Sequence, residues 1–296
     1  MIRHWIEAMR LRTLPVSMAG VIAGTGCAIL MDSFKAIPAL LCLTFAILAQ
    51  IAANFGNEYY DFKNGIDKKG RVGFRRGVTE GEITPKAMKA ATFITLGIAA
   101  AVGCVLLIYG PWWLIIVGIL IMCFALAYSA GPYPLSHHGL GDIAVIIFFG
   151  IVPVVLTWYL QSSSWDSAER VVETSLAIGL LAANVLVVNN YRDMEDDAAV
   201  GKRTTVVIFG RKVMSVTYLL SGFIGMSVMT PVWLRMPGWV WAVPLIYLIL
   251  HTKTWYKLRR STGAAINPLL GRTAMNLLIF ALLFVGVSLL DIIVPS

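Results

Sequence analysis

The stretch from Ile37 to Asp67 reads IPALLCLTFAILAQIAANFGNEYYDFKNGID, and between Ile37 and Asn57 no side chain carries a formal charge. About 18 to 22 apolar residues suffice for a helix to cross a bilayer. The stretch therefore predicts a membrane span over 37–60 that runs into amide and carboxylate side chains at its end. The same reading places further spans at 14–31, 88–108, 112–130, 142–161, 172–191, 213–233, 239–257 and 268–290. The expected fold is all-α, a polytopic membrane protein built as a bundle of nine transmembrane helices. Composition agrees, with 58% hydrophobic and 14% charged residues, where soluble chains carry about a quarter charged.

The distribution of charge orients the bundle. The formal net charge is +8, but the basic residues lie in connections between apolar spans and form no compact basic domain, so a nucleic-acid partner is not expected. Of the 24 Lys and Arg residues, 21 fall on one side of the nine-span arrangement, and Lys35, Arg170 and Arg235 fall on the other. Cytoplasmic loops retain positive charge, so the N-terminus is expected in the cytoplasm and the C-terminus outside. The longest connections, 61–87 and 191–212, then share the cytoplasmic face, where the chemistry is expected. Cys27, Cys42, Cys104 and Cys123 all sit within spans without metal-ligand spacing and read as small apolar residues. The segment before the first span lacks a convincing cleavage site and reads as retained.

Two acidic segments echo each other at that face. One is Asn57-Glu58-Tyr59-Tyr60-Asp61, continuing through Gly65 to Asp67; the other is Asn189-Asn190-Tyr191-Arg192-Asp193, continuing to Asp197. Residues four apart share a helix face, so Asn57 with Asp61, and Asn189 with Asp193 and Asp197, form polar stripes at the ends of two spans. Gly65 is expected to end the first helix and let Asp67 fold back. Oxygen ligands of this kind suit Mg²⁺, which binds through a few carboxylates together with phosphate oxygens. The candidate metal ligands are Asn57, Asp61, Asp67, Asn189, Asp193 and Asp197. Arg71, Arg75, Arg76, Lys202 and Arg203 are candidates for the remaining oxygens of a diphosphate. Ordinary solvated helix ends would explain a single cluster, but two matched clusters on one leaflet favour a shared polyphosphate. An ion-coupled transporter is the competing class, although transport sites lie near the bilayer midplane.

These residues resemble the UbiA-type intramembrane prenyltransferase superfamily, whose members have nine helices and acidic motifs on the second and sixth. Arg12-Thr13-Leu14-Pro15, Asn57 to Asp67, His138-Gly139-Leu140-Gly141-Asp142, Asn190 through Gly201-Lys202-Arg203-Thr204, and Asn267-Pro268-Leu269-Leu270 resemble its 1,4-dihydroxy-2-naphthoate branch. The 4-hydroxybenzoate branch is marked by Tyr and then Lys four residues later, whereas Tyr128 is followed at that spacing by Pro132, in a Gly131-Pro132-Tyr133-Pro134 turn. Glu58 and Phe74 depart from the family pattern, standing where Asp and Pro are common.

The resemblance implies a single prenyltransferase domain over 1–296 in the cell inner membrane, with a cytoplasmic-side cap over a central cavity. It implies Mg²⁺-dependent transfer of a polyprenyl group from polyprenyl diphosphate to dihydroxynaphthoate, with loss of diphosphate and CO₂, giving demethylmenaquinone. Other aromatic acceptors, such as 4-hydroxybenzoate or homogentisate, are the alternatives. Asp61 and Asp193 are then the catalytic carboxylates, and Tyr128, Tyr191 or Tyr60 would face an allylic cation through their rings. Arg12 is a candidate for the acceptor carboxylate or a phosphate. His137 and His138 read as interfacial residues and not as ligands. The spans near 14–31 and 268–290 are the expected gate for the prenyl tail, and no obligate protein partner is expected.

Overall fold

The structure, a computed structural model, describes residues 2–67, 69, 73–131 and 133–293. All regular structure among these residues is helical: α1 (Ile2–Met9), α2 (Leu14–Leu30), α3 (Ala36–Lys63), α4 (Pro85–Leu106), α5 (Leu114–Ala127), α6 (Gly141–Val145), α7 (Val152–Ser162), α8 (Ala168–Ala199), α9 (Thr205–Val228), α10 (Thr230–Trp233), α11 (Ala242–Leu258) and α12 (Asn267–Ile293). A helix occupies each of the predicted intervals. Among the described residues, seven helical segments are long and apolar enough to cross a membrane. The segments in the fourth and eighth intervals, α5 and α11, are shorter, at 14 and 17 residues. The chain is an integral membrane protein.

Small residues let the helices approach at backbone contact, as packing without water between helices requires. A π-helical turn over Ile146–Ile151 joins α6 to α7 just before Pro153, which lacks the N–H needed to continue an α-helical ladder. Within that turn a Cβ on Gly150 would lie 2.3 Å from Gly179 Cα of α8, so neither helix tolerates a side chain there. α2 and α12 close against each other, so that a Cβ on Gly26 would fall 2.8 Å from Phe284 Cδ1. These are the two spans that the resemblance nominates as candidates for a gate. Buried hydrogen bonds tie the remaining helices: Ser221 to Asn184 at 2.8 Å, Tyr218 with Thr273 at 3.1 Å, and Asn276 to Thr254 at 3.0 Å.

Helix length places the acidic ends. At 1.5 Å per residue, the 32 residues of α8 and the 28 of α3 span roughly 48 and 42 Å, against a hydrocarbon core of about 30 Å. Both helices must project beyond the apolar slab, and their projecting C-terminal turns carry Asp61, Asp193 and Asp197. Over the same end, α1 and the segment after α3 pack together, with Ala8, Phe55, Val78, Ile83 and Met88 forming a small apolar cluster.

Candidate functional site

α3 stops where glycine permits it to. Gly65 adopts φ +69°, a left-handed conformation open to glycine without a Cβ penalty. The Ile66 amide then donates to Asp61 O at 2.9 Å, which turns the chain back and returns Asp67 toward its own helix. Arg76 completes the turn. Its Nη2 donates to Asn57 Oδ1 at 2.9 Å and to Asp61 Oδ2 at 3.3 Å, and its Nε lies 3.0 Å from Asp67 Oδ2. Both carboxylate side chains are 1% exposed and that of Arg76 is 6% exposed. Asp61 Oδ1 and Arg76 Nη1 are buried without a hydrogen-bond partner among the described residues. A half-coordinated carboxylate and a half-used guanidinium thus face the same space.

The second cluster has its own arginine. Arg192 holds Asp193 through two contacts of 2.6 and 2.7 Å, and reaches Asn189 at 2.9 Å and Asn267 of α12 at 3.1 Å. Asp197 lies 4.0 Å from Lys202. Between the clusters, the Phe74 ring sits 5.7 Å from the guanidinium carbons of both Arg10 and Arg192, a distance suited to cation–π attraction. Gly73 makes the approach possible, since a Cβ there would lie 2.6 Å from Arg192 Nη2. Glu58, fully buried, accepts from the Val78 amide at 3.0 Å and so pins the segment that carries Phe74 and Arg76.

Both clusters open into one cavity of about 460 Å³, although Asp67 itself is not among the residues that line it. Its polar end is lined by Arg10, Asn57, Asp61, Arg76, Asn189, Arg192, Asp193, Asp197 and Lys202, and Tyr128 lies on its wall. The rest of the lining is apolar, including Phe45, Leu107, Leu114, Met122, Phe148 and Leu160. Four lining residues, Cys104, Ile115, Ile119 and Phe124, are also exposed on the outer surface of α4 and α5. The cavity therefore approaches lipid on that side. There the Phe124 ring meets Phe148 at 4.3 Å.

Several predicted residues lie elsewhere. Arg12 is exposed and absent from the cavity wall; Arg10, held left-handed at φ 51°, lines it instead and donates to Asn57 Oδ1 at 2.7 Å. The Tyr191 ring packs under Arg211 at 5.3 Å and does not line the cavity, and neither does Tyr60. Arg75 is ion-paired with Glu82, and Arg203 is exposed, its amide donating to His137 O at 2.9 Å. Arg71 lies outside the described residues. The sequence reading missed Arg10, Arg192, Phe74 and Ser129, whose hydroxyl accepts from Asn57 Nδ2 at 2.6 Å. Burial, and then the Lys202 charge, push the His137 imidazole below its ordinary pKa.

Among the described residues, no three His, Cys, Asp or Glu side chains form a metal cage of their own. Mg²⁺ rarely uses one, since it keeps waters and shares phosphate oxygens. A donor set of two separated carboxylate clusters beside arginines fits an ion held jointly with a diphosphate.

The family model of the UbiA prenyltransferase family matches residues 14–280. The chain is 37% identical to the 1,4-dihydroxy-2-naphthoate octaprenyltransferase of Escherichia coli, covering 95% of this chain and 93% of that protein. It is 33% identical to the enzyme of the same name from Mycobacterium tuberculosis, covering 96% of both. Its fold is similar to that of a UbiA homolog from Archaeoglobus fulgidus bound to DMAPP and Mg²⁺, with a TM-score of 0.70 at 16% identity over 98% of this chain and 99% of that one. With the family model spanning most of the bundle and the acidic ends of α3 and α8 meeting at one cavity, the chain belongs to the UbiA prenyltransferase family.

Proposed function

We propose that this protein transfers a polyprenyl group from polyprenyl diphosphate to 1,4-dihydroxy-2-naphthoate in an Mg²⁺-dependent reaction that releases diphosphate and CO₂ and yields demethylmenaquinone. The observation that carries this reading is the single cavity that joins two acid–arginine clusters at one end to an apolar chamber at the other. A diphosphate suits the first and an isoprenoid the second. The naphthoate acceptor rests on the names of the two relatives.

Asn57, Asp61 and Asp67 from one side, and Asn189, Asp193 and Asp197 from the other, would hold Mg²⁺. Bound there, the ion would neutralise the charge that builds on the departing diphosphate. Arg76, Arg192 and Lys202 would bind the outer phosphate oxygens once their carboxylate partners turn to the metal, and Arg71, Arg75 and Arg203 stay as the further sequence candidates for those oxygens. Tyr128 would present its ring to the allylic carbon as the bond to oxygen breaks. Arg10 takes the place proposed from sequence for Arg12, offering a cation to the acceptor carboxylate. A cavity of about 460 Å³ lies toward the lower end of the roughly 300–1,000 Å³ of small-ligand pockets. A long tail would therefore extend past Phe124 and Phe148 into lipid.

We read residues 1–296 as one prenyltransferase domain of nine crossings in the inner membrane, with the N-terminus and the acidic site cytoplasmic and the C-terminus outside. The test is product formation in membranes containing the protein, with labelled prenyl diphosphate and a panel of acceptors. Product from dihydroxynaphthoate, abolished by EDTA and restored by Mg²⁺, is expected. Product from 4-hydroxybenzoate alone, or transfer indifferent to EDTA, would overturn the reading.

A further inference from the structure

A second groove, of about 330 Å³, opens at the same end of the bundle, where α11 ends and α12 begins. It is lined by Tyr256, Lys257, Arg260, Ser261, Leu269 and Arg272, among others. It is separate from the first cavity: within α12, Leu270 lines the cavity while Leu269 and Arg272 line the groove. The turn that builds it is short, with Arg260 N donating to Lys257 O and Ser261 N to Leu258 O, both at 3.1 Å.

The charge of this groove is uncompensated. Four arginines elsewhere at this end are matched by acids: Arg76 by Asp61 and Asp67, Arg192 by Asp193, Arg211 by Glu195, and Arg75 by Glu82. From His251 to Leu290 the chain contains no Asp or Glu. Lys257, Arg260 and Arg272 are all exposed and make no ion pair among the described residues. The N-terminal end of the 27-residue α12 adds the positive pole of its dipole to the same place. Three cations and a positive helix end raise the local positive potential, which favours an anion among them.

The surroundings name the kind of anion. Along α12 the exposed residues beyond Arg272 are Met275, Leu282, Leu289 and Leu290, and along α11 those leading to Tyr256 are Ala242, Leu245, Ile246 and Ile249, followed by Lys253 one turn before the groove. Both helices thus present apolar, lipid-facing surfaces that end at the groove. The Arg260 guanidinium carbon lies 3.9 Å from the Tyr256 ring centroid, a tyrosine–cation pairing that suits the headgroup level. We propose that this groove binds the phosphate of an anionic glycerophospholipid whose acyl chains lie along α11 and α12.

The test is retention of phosphatidylglycerol, against phosphatidylcholine, by the full-length protein in mild detergent, read by native mass spectrometry. At the strength typical of basic residues facing an anionic membrane, each cation contributes about fivefold, so K257Q/R260Q/R272Q should weaken retention by about a hundredfold. A control triple of exposed cations on other helices, K86Q/K89Q/K212Q, should weaken it by no more than about fivefold. If the groove triple variant does not fold, R272Q alone, at an exposed position, should show the fivefold loss. Equal retention by the groove variant and the parent would overturn the proposal, as would equal losses in the two triple variants. Displacement by millimolar inorganic phosphate as effective as displacement by phosphatidylglycerol would show a site for free anions and overturn the lipid assignment.

Discussion

Replacing Arg76 with methionine keeps a long side chain and removes the charge that holds three oxygens of the site. In the folded protein Arg76 touches Asn57 Oδ1, Asp61 Oδ2 and Asp67 Oδ2 at 2.9, 3.3 and 3.0 Å. With the two carboxylate side chains 1% exposed, they cannot recover their loss by hydration. Removing one partner of a buried ion pair costs about 3–5 kcal/mol. Arg10 also donates to Asn57, at 2.7 Å, and its charge remains nearby, which favours the lower end of that range. At roughly 2 °C per kcal/mol for a chain of this size, metal-free Arg76→Met should melt about 6 °C below the parent. Mg²⁺ should then stabilise the variant more than the parent, because in the parent the ion must first displace a guanidinium from Asp61. The assay is thermal unfolding in detergent across an Mg²⁺ titration, with Ca²⁺ and Na⁺ as controls. A variant as stable as the parent without metal, or one that gains no more from Mg²⁺ than the parent does, would refute the reasoning.

Arg10→Met should lower kcat/KM by at least about tenfold, the loss expected for a charged hydrogen bond, while Arg12→Met should change it by less than about twofold; steady-state kinetics with both substrates separates the two. Phe124→Trp, which enlarges a ring already 4.3 Å from Phe148, should slow transfer from long prenyl donors more than from geranyl diphosphate. Equal slowing across donor lengths would remove this seam as the tail's path. His137 favours its neutral form in the folded protein, being held below the ordinary value of 6.5 by burial and then by Lys202. The unfolded chain therefore binds the extra proton as pH falls through that value, and stability is lost on acidification. His137→Asn should flatten the dependence of melting temperature on pH between about 7 and 5, and an unchanged slope would show that the imidazole is not responsible.

The parts of the molecule legible in sequence were those written in long-range composition. A charge-free run before Glu58, the alternation of basic loops, and a glycine four residues after Asp61 follow from hydropathy and backbone sterics, and Gly65 does turn Asp67 back onto Arg76. What escaped depends on direction within a single turn. Arg12 precedes Pro15 in a family-like motif, yet the left-handed Arg10 and the tight turn Leu11–Thr13 rotate Arg10 into the cavity and Arg12 out of it. Tyr191 shares a motif with Asp193 but stands two residues away, about 200° around a helix, and so faces Arg211. Arg192 read as one more cytoplasmic positive charge, although it is buried and holds Asp193. Phe74 departs from the family pattern in sequence and was assigned no role, because its two cationic partners come from chain segments more than 60 residues away.

The coupling between Asp61 and Asp193 tests the two-cluster site most directly. It can be measured as a double-mutant cycle on the Mg²⁺-dependent affinity for a non-hydrolysable prenyl diphosphate analogue, using Asp61→Asn, Asp193→Asn and the double variant. If the two carboxylates grip one metal–diphosphate assembly, the double variant should bind little worse than either single one, with a coupling of about 1–3 kcal/mol. Losses that add to within about 0.5 kcal/mol would mean that the two helix ends act independently, contrary to the site described above.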